Sequence, residues 1–362
     1  GVWIMAYTTI DDPSAHFQTT TYTGNASDGH AITNSGNSNL QPDWLWIKKR
    51  SGSGHNVLAD STRGANKQLF SSSSDAEQTS TEFIASFDSD GFTLNDNTSG
   101  TGDTNYTNGG TYVAWQWKAN GGTTSSNTGG SITSTVQANT DAGFSIVTYT
   151  GNGSDNATVA HGLGKIPAMM IVKNRDDSDH WGVWHQSFAA HTSYNSLSQT
   201  IATINNDDIF KAFSSTLFTL GTDSWSNVNN EKFVVYAFAE KQGYSKMGSF
   251  IGNNSSDGAF VYLGFKPRWL MVKNVSQTHA NHSWIIFDSK RETNNVIDTF
   301  LEADTTAADV TSGRNAVDFL SNGFKARESY GDFNGGSGLT FVYMAFAEHP
   351  FVSSKGVPTT AR

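Results

Sequence analysis

Three landmarks recur in the same order three times along this chain of 362 residues, and that repetition constrains the fold more than any other feature. The first is an aromatic or apolar strand that ends in a Gly-Asn turn: Tyr22-Thr23-Gly24-Asn25, Tyr149-Thr150-Gly151-Asn152 and Phe250-Ile251-Gly252-Asn253. Gly followed by Asn suits a turn that needs positive φ. The second is a proline, a short apolar run and a lysine: Pro42 to Lys48, Pro167 to Lys173 and Pro267 to Lys273. Proline can open a strand without losing a ladder hydrogen bond. The nearly continuous apolar run after it predicts a central strand buried on both faces, so that Trp44 or Trp46 must be buried. The third closes each repeat: Tyr112 to Trp117, Phe233 to Phe238 and Phe341 to Phe346. Weaker echoes lie between, among them Trp181-Gly182-Val183-Trp184-His185 against Trp284-Ile285-Ile286-Phe287-Asp288.

The repeats divide the chain into an N-terminal arm (1–16), module 1 (17–120), a Gly/Ser/Thr-rich linker (121–142), module 2 (143–244), module 3 (245–352) and a tail (353–362). Charged residues make up only 15% against 12% aromatic, with 35 glycines, a balance that suits short strands and many turns rather than helices. The expected class is all-β: three tandem antiparallel β-sandwich modules of jelly-roll-like type. Short helical turns are expected at 65–70 and 294–301. The linker, almost free of large hydrophobes, reads as flexible, with modules 2 and 3 a rigid pair and module 1 separate.

A net charge of -10 without a Lys/Arg stripe argues against nucleic acid as a partner. With no cysteine, a disulfide scaffold, a thiolate metal site and a Cys nucleophile are all excluded. No apolar run approaches the ~20 residues of a membrane helix, so membrane insertion is not expected. The opening Gly1-Val2-Trp3-Ile4 lacks the pattern of a signal peptide, and Met5 reads as a start residue.

Catalytic constellations are not evident. Glu240 and Glu348 occupy equivalent positions after two closing strands, but module 1 has Ala119 there. Asp60, His185 and Asp288 align at the end of one strand and read as solvent-facing strand ends. The loop Asp176-Asp177-Ser178-Asp179 offers carboxylates from Asp176, Asp177 and Asp179 that a calcium ion would favour, yet it lacks the spacing of a complete calcium loop. Trp225 sits in a polar stretch with Asp223 and Asn227 and is the candidate platform for stacking on a sugar face. The arm, with Tyr7, Ile10 and Pro13 but no strand alternation, is expected to dock on a neighbouring subunit, most readily in a homotrimer.

Met5-Ala6-Tyr7-Thr8-Thr9-Ile10-Asp11-Asp12-Pro13, the Tyr22–Asn25 turn, the junction Ala239–Lys246, the run Asp318–Lys325 and the ending Gly356–Arg362 resemble repeat-containing structural proteins of marine tailed bacteriophages, of the cyanophage and pelagiphage type. The resemblance spans essentially the whole chain. It implies a tail-fibre-like or virion-surface, concanavalin-like protein located in the virion among other virion proteins; the tryptophan set, not the resemblance, adds host-surface glycans as a candidate partner. The resemblance brings no catalytic residues and no cofactor. The expectation is therefore a non-catalytic virion structural protein, with a jelly-roll glycan depolymerase as the alternative.

Overall fold

In each closing strand, side chains alternate between two faces, and both faces must be covered if every one of those residues is apolar. The computed structural model, which describes residues 6–96, 103–311 and 316–358, shows how. Module 1 contains β1 (Phe17–Thr23), β2 (His30–Thr33), β3 (Trp44–Lys49), β4 (Val57–Asp60), β5 (Lys67–Phe70), β6 (Gln78–Thr79), β7 (Ile84–Asp88), β8 (Gly91–Leu94) and β9 (Thr111–Trp117). Two strands follow, β10 (Ser125–Asn127) and β11 (Ser134–Asn139). Module 2 has β12 (Phe144–Thr150), β13 (Thr158–Ala160), β14 (Met169–Asn174), β15 (Gly182–His185), β16 (Ser193–Ser196), β17 (Ile204–Asn205), β18 (Phe210–Phe213), β19 (Leu217–Leu220) and β20 (Lys232–Phe238). Module 3 has β21 (Ser245–Ile251), β22 (Phe260–Tyr262), β23 (Phe265–Asn274), β24 (Ile285–Asp288), β25 (Thr299–Glu302), β26 (Val310–Thr311), β27 (Val317–Leu320), β28 (Gly323–Ala326) and β29 (Thr340–Pro350).

The topology repeats strand for strand. The large sheet runs β1-β9-β3-β4-β5-β6 in module 1 and β21-β29-β23-β24-β25-β26 in module 3, each facing a three-stranded sheet, β2-β8-β7 and β22-β28-β27. Module 2 repeats this with β12-β20-β14-β15-β16-β17 against β13-β19-β18, and β11 and β10 extend its large sheet to eight strands. All ladders between named strands are antiparallel, so each module is an antiparallel β-sandwich. In module 1, Leu45, Ile47, Val57, Phe70, Tyr112 and Ala114 point into the sandwich and form its own core with Ile32, Phe83 and Phe92. The alternate residues Trp44, Trp46, Leu58, Trp115 and Trp117 point the other way, into a second core shared with modules 2 and 3. Both Trp44 and Trp46 are buried.

That shared core lies where the backs of the three large sheets meet. Trp44 stacks on Tyr236 of module 2 (ring centroids 4.3 Å), Trp117 meets Trp269 of module 3 edge-on (5.5 Å), and Phe238 meets Phe346 (6.0 Å). The modules close a three-membered ring in which the same contact is made three times. The residue before the fourth strand bonds a carbonyl on the preceding module: Trp181 Nε1 donates to Phe70 O, Trp284 Nε1 to Ser196 O, and Asn56 Nδ2 to Glu302 O. Backbone bonds repeat the pattern from Glu77 N to Arg175 O, Thr203 N to Val275 O and Asp309 N to Arg50 O. The lysines that close the second landmark in each repeat are buried beside these seams. Lys48 Nζ donates to Gly54 O and Thr306 O, Lys173 Nζ to Asn174 O and Asp177 O, and Lys273 Nζ to Gln199 O. Burial lowers each of the three amines to about 8.

Several expectations are corrected by this arrangement. Asp60, His185 and Asp288 are not solvent-facing; all three are fully buried at successive seams. Asp60 pairs with Arg63 (2.5 Å) and accepts from Tyr236 OH of module 2 (2.8 Å). Asp288 pairs with Arg291 (2.5 Å) and accepts from Trp115 Nε1 of module 1 (3.1 Å). Met344 stands where Tyr236 and Trp115 stand in the other two copies, and it has no N–H or O–H to offer. There, His185 Nε2 donates instead to Tyr343 O (3.1 Å), and Phe188 replaces the arginine. The exchange of Asp for His thus follows from the donor lost on the facing module.

The 121–142 segment is not a flexible linker. Gly121 and Gly122 donate their N–H groups to the Asp43 carboxylate, and β11 pairs with β12 over Ser134–Asn139. Module 1 is likewise not separate, since it supplies four tryptophans to the shared core. The arm packs along the chain's own third module and its junction: Tyr7 OH donates to Gly264 O (2.8 Å), Thr8 Oγ1 to Gln242 O, and Ile10 and Pro13 are buried. The expected helical turns do not form: 65–70 is a turn that leads into β5, and 294–301 is a bend and an isolated bridge at Ile297 that lead into β25. Met5 and residues 359–362 lie outside the described residues. Among the described residues, no helix is long and apolar enough to cross a membrane.

The Gly-Asn turns are equivalent, but for a different reason than positive φ. A Cβ on Gly24, Gly151 or Gly252 would lie 2.7, 2.2 or 2.7 Å from a neighbouring atom, so the glycine is required by close approach. Positive φ falls two residues later, at Ala26, Gly153 and Asn254. Each turn is clasped by an asparagine preceding the closing strand: Asn105, Asn227 and Asn334 accept from Asn25 N, Asn152 N and Asn253 N.

Candidate functional site

A repeated sandwich places the same two loops together in every copy: the one joining its third and fourth strands, and the one leading into its closing strand. These rims are where side chains are free of the ladder and can face a ligand. In module 2 they unite the two sets of residues singled out from sequence. Asp179 Oδ1 accepts from Ser224 Oγ (2.9 Å), and the Trp225 ring lies edge-on to His180 (5.3 Å) and Tyr194 (5.7 Å). Trp225 is half-buried against the core and fills this corner. Asn227 is fully buried, its amide donating to Ser154 O and Gly221 O. Asp223 Oδ1 accepts from Trp225 N, and burial holds its carboxyl above the usual range. The three acids of the neighbouring loop turn to separate partners: Asp176 to Lys232 N, Asp177 to Ser178 N, Asp179 to Asn174 Nδ2. Among the described residues, no group of three or more His, Asp or Glu converges as a metal site.

The same corner is open in modules 1 and 3. In module 3 it is a cavity of about 610 Å³ walled by His279, His282, Asp332, Glu302, Tyr330 and Leu339. Tyr330 is 53% exposed, whereas His282 and Asp332 are buried. His282 Nδ1 bonds Gln277 O (3.1 Å), and its ring lies 5.1 Å from that of His279, whose Nδ1 accepts from Asn281 N. Glu302 Oε2 accepts from Thr305 Oγ1. In module 1 the cavity is about 360 Å³, with Lys49, His55, Asp103, Tyr106 and Thr107 on its walls. Asp103 binds Lys49 Nζ (2.6 Å), Thr107 Oγ1 (2.7 Å) and Tyr112 OH. Burial would raise its carboxyl, but these three bonds outweigh it and hold the group below the usual carboxylate range. Burial lowers His55. The loop that contains Glu302, Thr305 and Thr306 walls both cavities, so the two openings are neighbours.

Sequence reasoning passed over Tyr330 and Tyr106. Their signal was the same as that of Trp225: a lone aromatic in a polar, Gly/Asn-rich stretch before the closing strand, as in Glu328-Ser329-Tyr330-Gly331-Asp332 and Asn105-Tyr106-Thr107-Asn108. Glu240 and Glu348, the paired carboxylates considered for hydrolysis, stand elsewhere. Glu240 accepts from Gln186 Nε2 and Met247 N, and Glu348 is engaged by Lys266 and Arg268.

Fold and site together define a class: an all-β protein of three fused sandwiches with an open loop cleft on two of them. The chain belongs to the family described as domain of unknown function DUF7483, whose model matches residues 12–350. Neither the comparison with curated proteins nor that with solved structures finds a match.

Proposed function

We propose that this protein is a non-catalytic binding and structural component whose loop clefts take saccharides, and that it serves as a surface or fibre component of a phage particle. The cleft reading rests on the module 3 cavity. A half-exposed tyrosine ring stands beside imidazoles and a carboxylate, the combination that stacks on a sugar face while bonding its hydroxyls. The virion reading rests on the whole-chain resemblance of the sequence. Glycan-array binding by the full chain, weakened by Tyr330→Ala and His279→Ala with unchanged melting, is the expected result, since both side chains are exposed on the cavity wall. Binding that survives both substitutions, or none to any glycan, would remove the cleft reading. Immunolocalisation on particles tests the virion reading.

One observation favours a second reading, a depolymerase: Glu302 and Asp332 both line the same cavity, and glycoside hydrolysis uses a pair of carboxyl groups. Release of reducing ends from envelope polysaccharide, abolished by Glu302→Gln or Asp332→Asn, would establish it. Binding without turnover is expected instead.

A further inference from the structure

One loop relation recurs around the ring. The loop after the fifth strand of each module lies on the loop between the third and fourth strands of the next. Glu77 N bonds Arg175 O, His279 N bonds Thr200 O, and Gly54 N bonds Thr306 O. At the seam from module 3 to module 1, three donors of module 1 clamp this loop. Asn56 Nδ2 donates to Glu302 O and Thr305 O, while Gly54 N and Lys48 Nζ donate to Thr306 O. Thr305 walls the module 3 cavity, and the next residue, Thr306, walls the module 1 cavity. The partition between the two openings is there a single, fixed run of backbone. Each opening presents a half-exposed tyrosine, Tyr330 on one side and Tyr106, 51% exposed, on the other. The third corner of the ring is filled by Trp225. The open corners therefore form one adjacent pair.

The charges on the walls narrow the ligand. Lys49 is held by Asp103 (2.6 Å), and burial lowers His55, so its imidazole is neutral near pH 7. The module 3 side offers the carboxylates of Glu302 and Asp332, on a chain of net charge -10. An acidic polymer would meet carboxylates and a lysine that is already paired. We propose that the two clefts are one site, whose ligand is an internal stretch of a long neutral polysaccharide. The chain crosses the 305–306 ridge with one sugar face on Tyr330 and a later one on Tyr106. This rests on the saccharide reading of the clefts and adds the length and charge of the ligand to it. Filling the second cleft then becomes an intramolecular step, worth about 10²–10⁴-fold in affinity. The ridge is already ordered by its bonds to module 1, so crossing it costs little further ordering.

Titration calorimetry on the full chain, with neutral homo-oligosaccharide ladders of glucose, mannose and galactose, tests this. In the ladder that binds, the disaccharide should bind weakly at two sites per protein. A long oligomer should bind at one site per protein and about 10²–10⁴-fold more tightly. Tyr106→Ala or Tyr330→Ala should each return the long oligomer to near disaccharide affinity and halve the disaccharide stoichiometry. Melting should stay unchanged, because both rings are half-exposed. A long oligomer that binds no more tightly than the disaccharide, or twice per protein, would overturn the bridging and leave the cleft reading standing. So would a gain with length that is indifferent to Tyr106→Ala. Tighter binding of alginate, an acidic chain, would overturn the neutral character of the ligand. Binding by no ladder overturns the proposal as well, and the glycan array then decides the cleft reading separately.

Discussion

Replacing His185 with Asp restores, at the seam between modules 2 and 3, the residue that modules 1 and 3 carry at the other two seams, and it should nevertheless destabilise the protein. Asp60 and Asp288 are tolerated because each has a buried arginine three residues on and a side-chain donor from the facing module. At position 185 the arginine is Phe188, the facing side chain is Met344, and the polar atom met across the seam is the carbonyl of Tyr343, which would repel a carboxylate. Burial lowers His185 to about 4, so the native group is neutral, with Nδ1 accepting from Ser187 N and Nε2 donating to Tyr343 O. His185→Asp loses the seam bond, about 0.5–1.5 kcal/mol, and strands a charge, about 3–5 kcal/mol. Part of that is recovered if the carboxyl takes up a proton on burial. A loss near 4 kcal/mol is therefore expected by urea unfolding. Adding Phe188→Arg should recover a coupling energy of about 1–3 kcal/mol in a double-mutant cycle, because it rebuilds the Asp-x-x-Arg pair of the other seams. A near-neutral single variant, or additive effects of the two substitutions, would refute the account of why the repeat diverges here.

Further expectations follow from the seams and turns. Gly151→Ala places a Cβ 2.2 Å from Val228 O, so backbone must move, and a loss of about 1–3 kcal/mol should appear as a lower urea midpoint. Stability should rise with pH between about 8 and 10. Burial lowers Lys48, Lys173 and Lys273 to about 8, while in the unfolded chain lysine titrates near 10.4, so the unfolded state binds more protons in that window. Above about pH 10 the buried tyrosines Tyr149 and Tyr236, both raised by burial, reverse the trend because the unfolded chain then loses their protons first. A pH series of urea melts with no rise above pH 8 would contradict the buried lysines. Exchanging residues 130–139 for a Gly/Ser stretch should lower the melting temperature, since Ile132 and Val136 leave the core; an unchanged melt would return the segment to linker status.

The repeat and the central strands were legible because their signals are side-chain signals: an unbroken apolar run such as Trp44-Leu45-Trp46-Ile47 can only be a strand buried on both faces. The ring was not legible, because half of each seam contact is a backbone carbonyl, such as Phe70 O or Ser196 O, which leaves no trace in residue identity. The 121–142 segment was misread because Gly, Ser and Thr suit an added edge strand as well as a tether, and its anchor is a distant residue, Asp43. At the clefts, Trp225 drew the eye by its size, yet the corner it occupies is the filled one, while the more modest Tyr330 stands at an open cavity.

Because the three sandwiches are one polypeptide, their mutual affinity is set by tethering and not by protein concentration. A ring of separate subunits falls apart on dilution; this one cannot, since each partner is held at the high local concentration that short connections impose. Fusion also frees the copies from identity. A subunit in a symmetric trimer must satisfy every seam with one sequence, whereas here a lost donor at Met344 could be answered by His185 alone, and one corner could be plugged while two stay open.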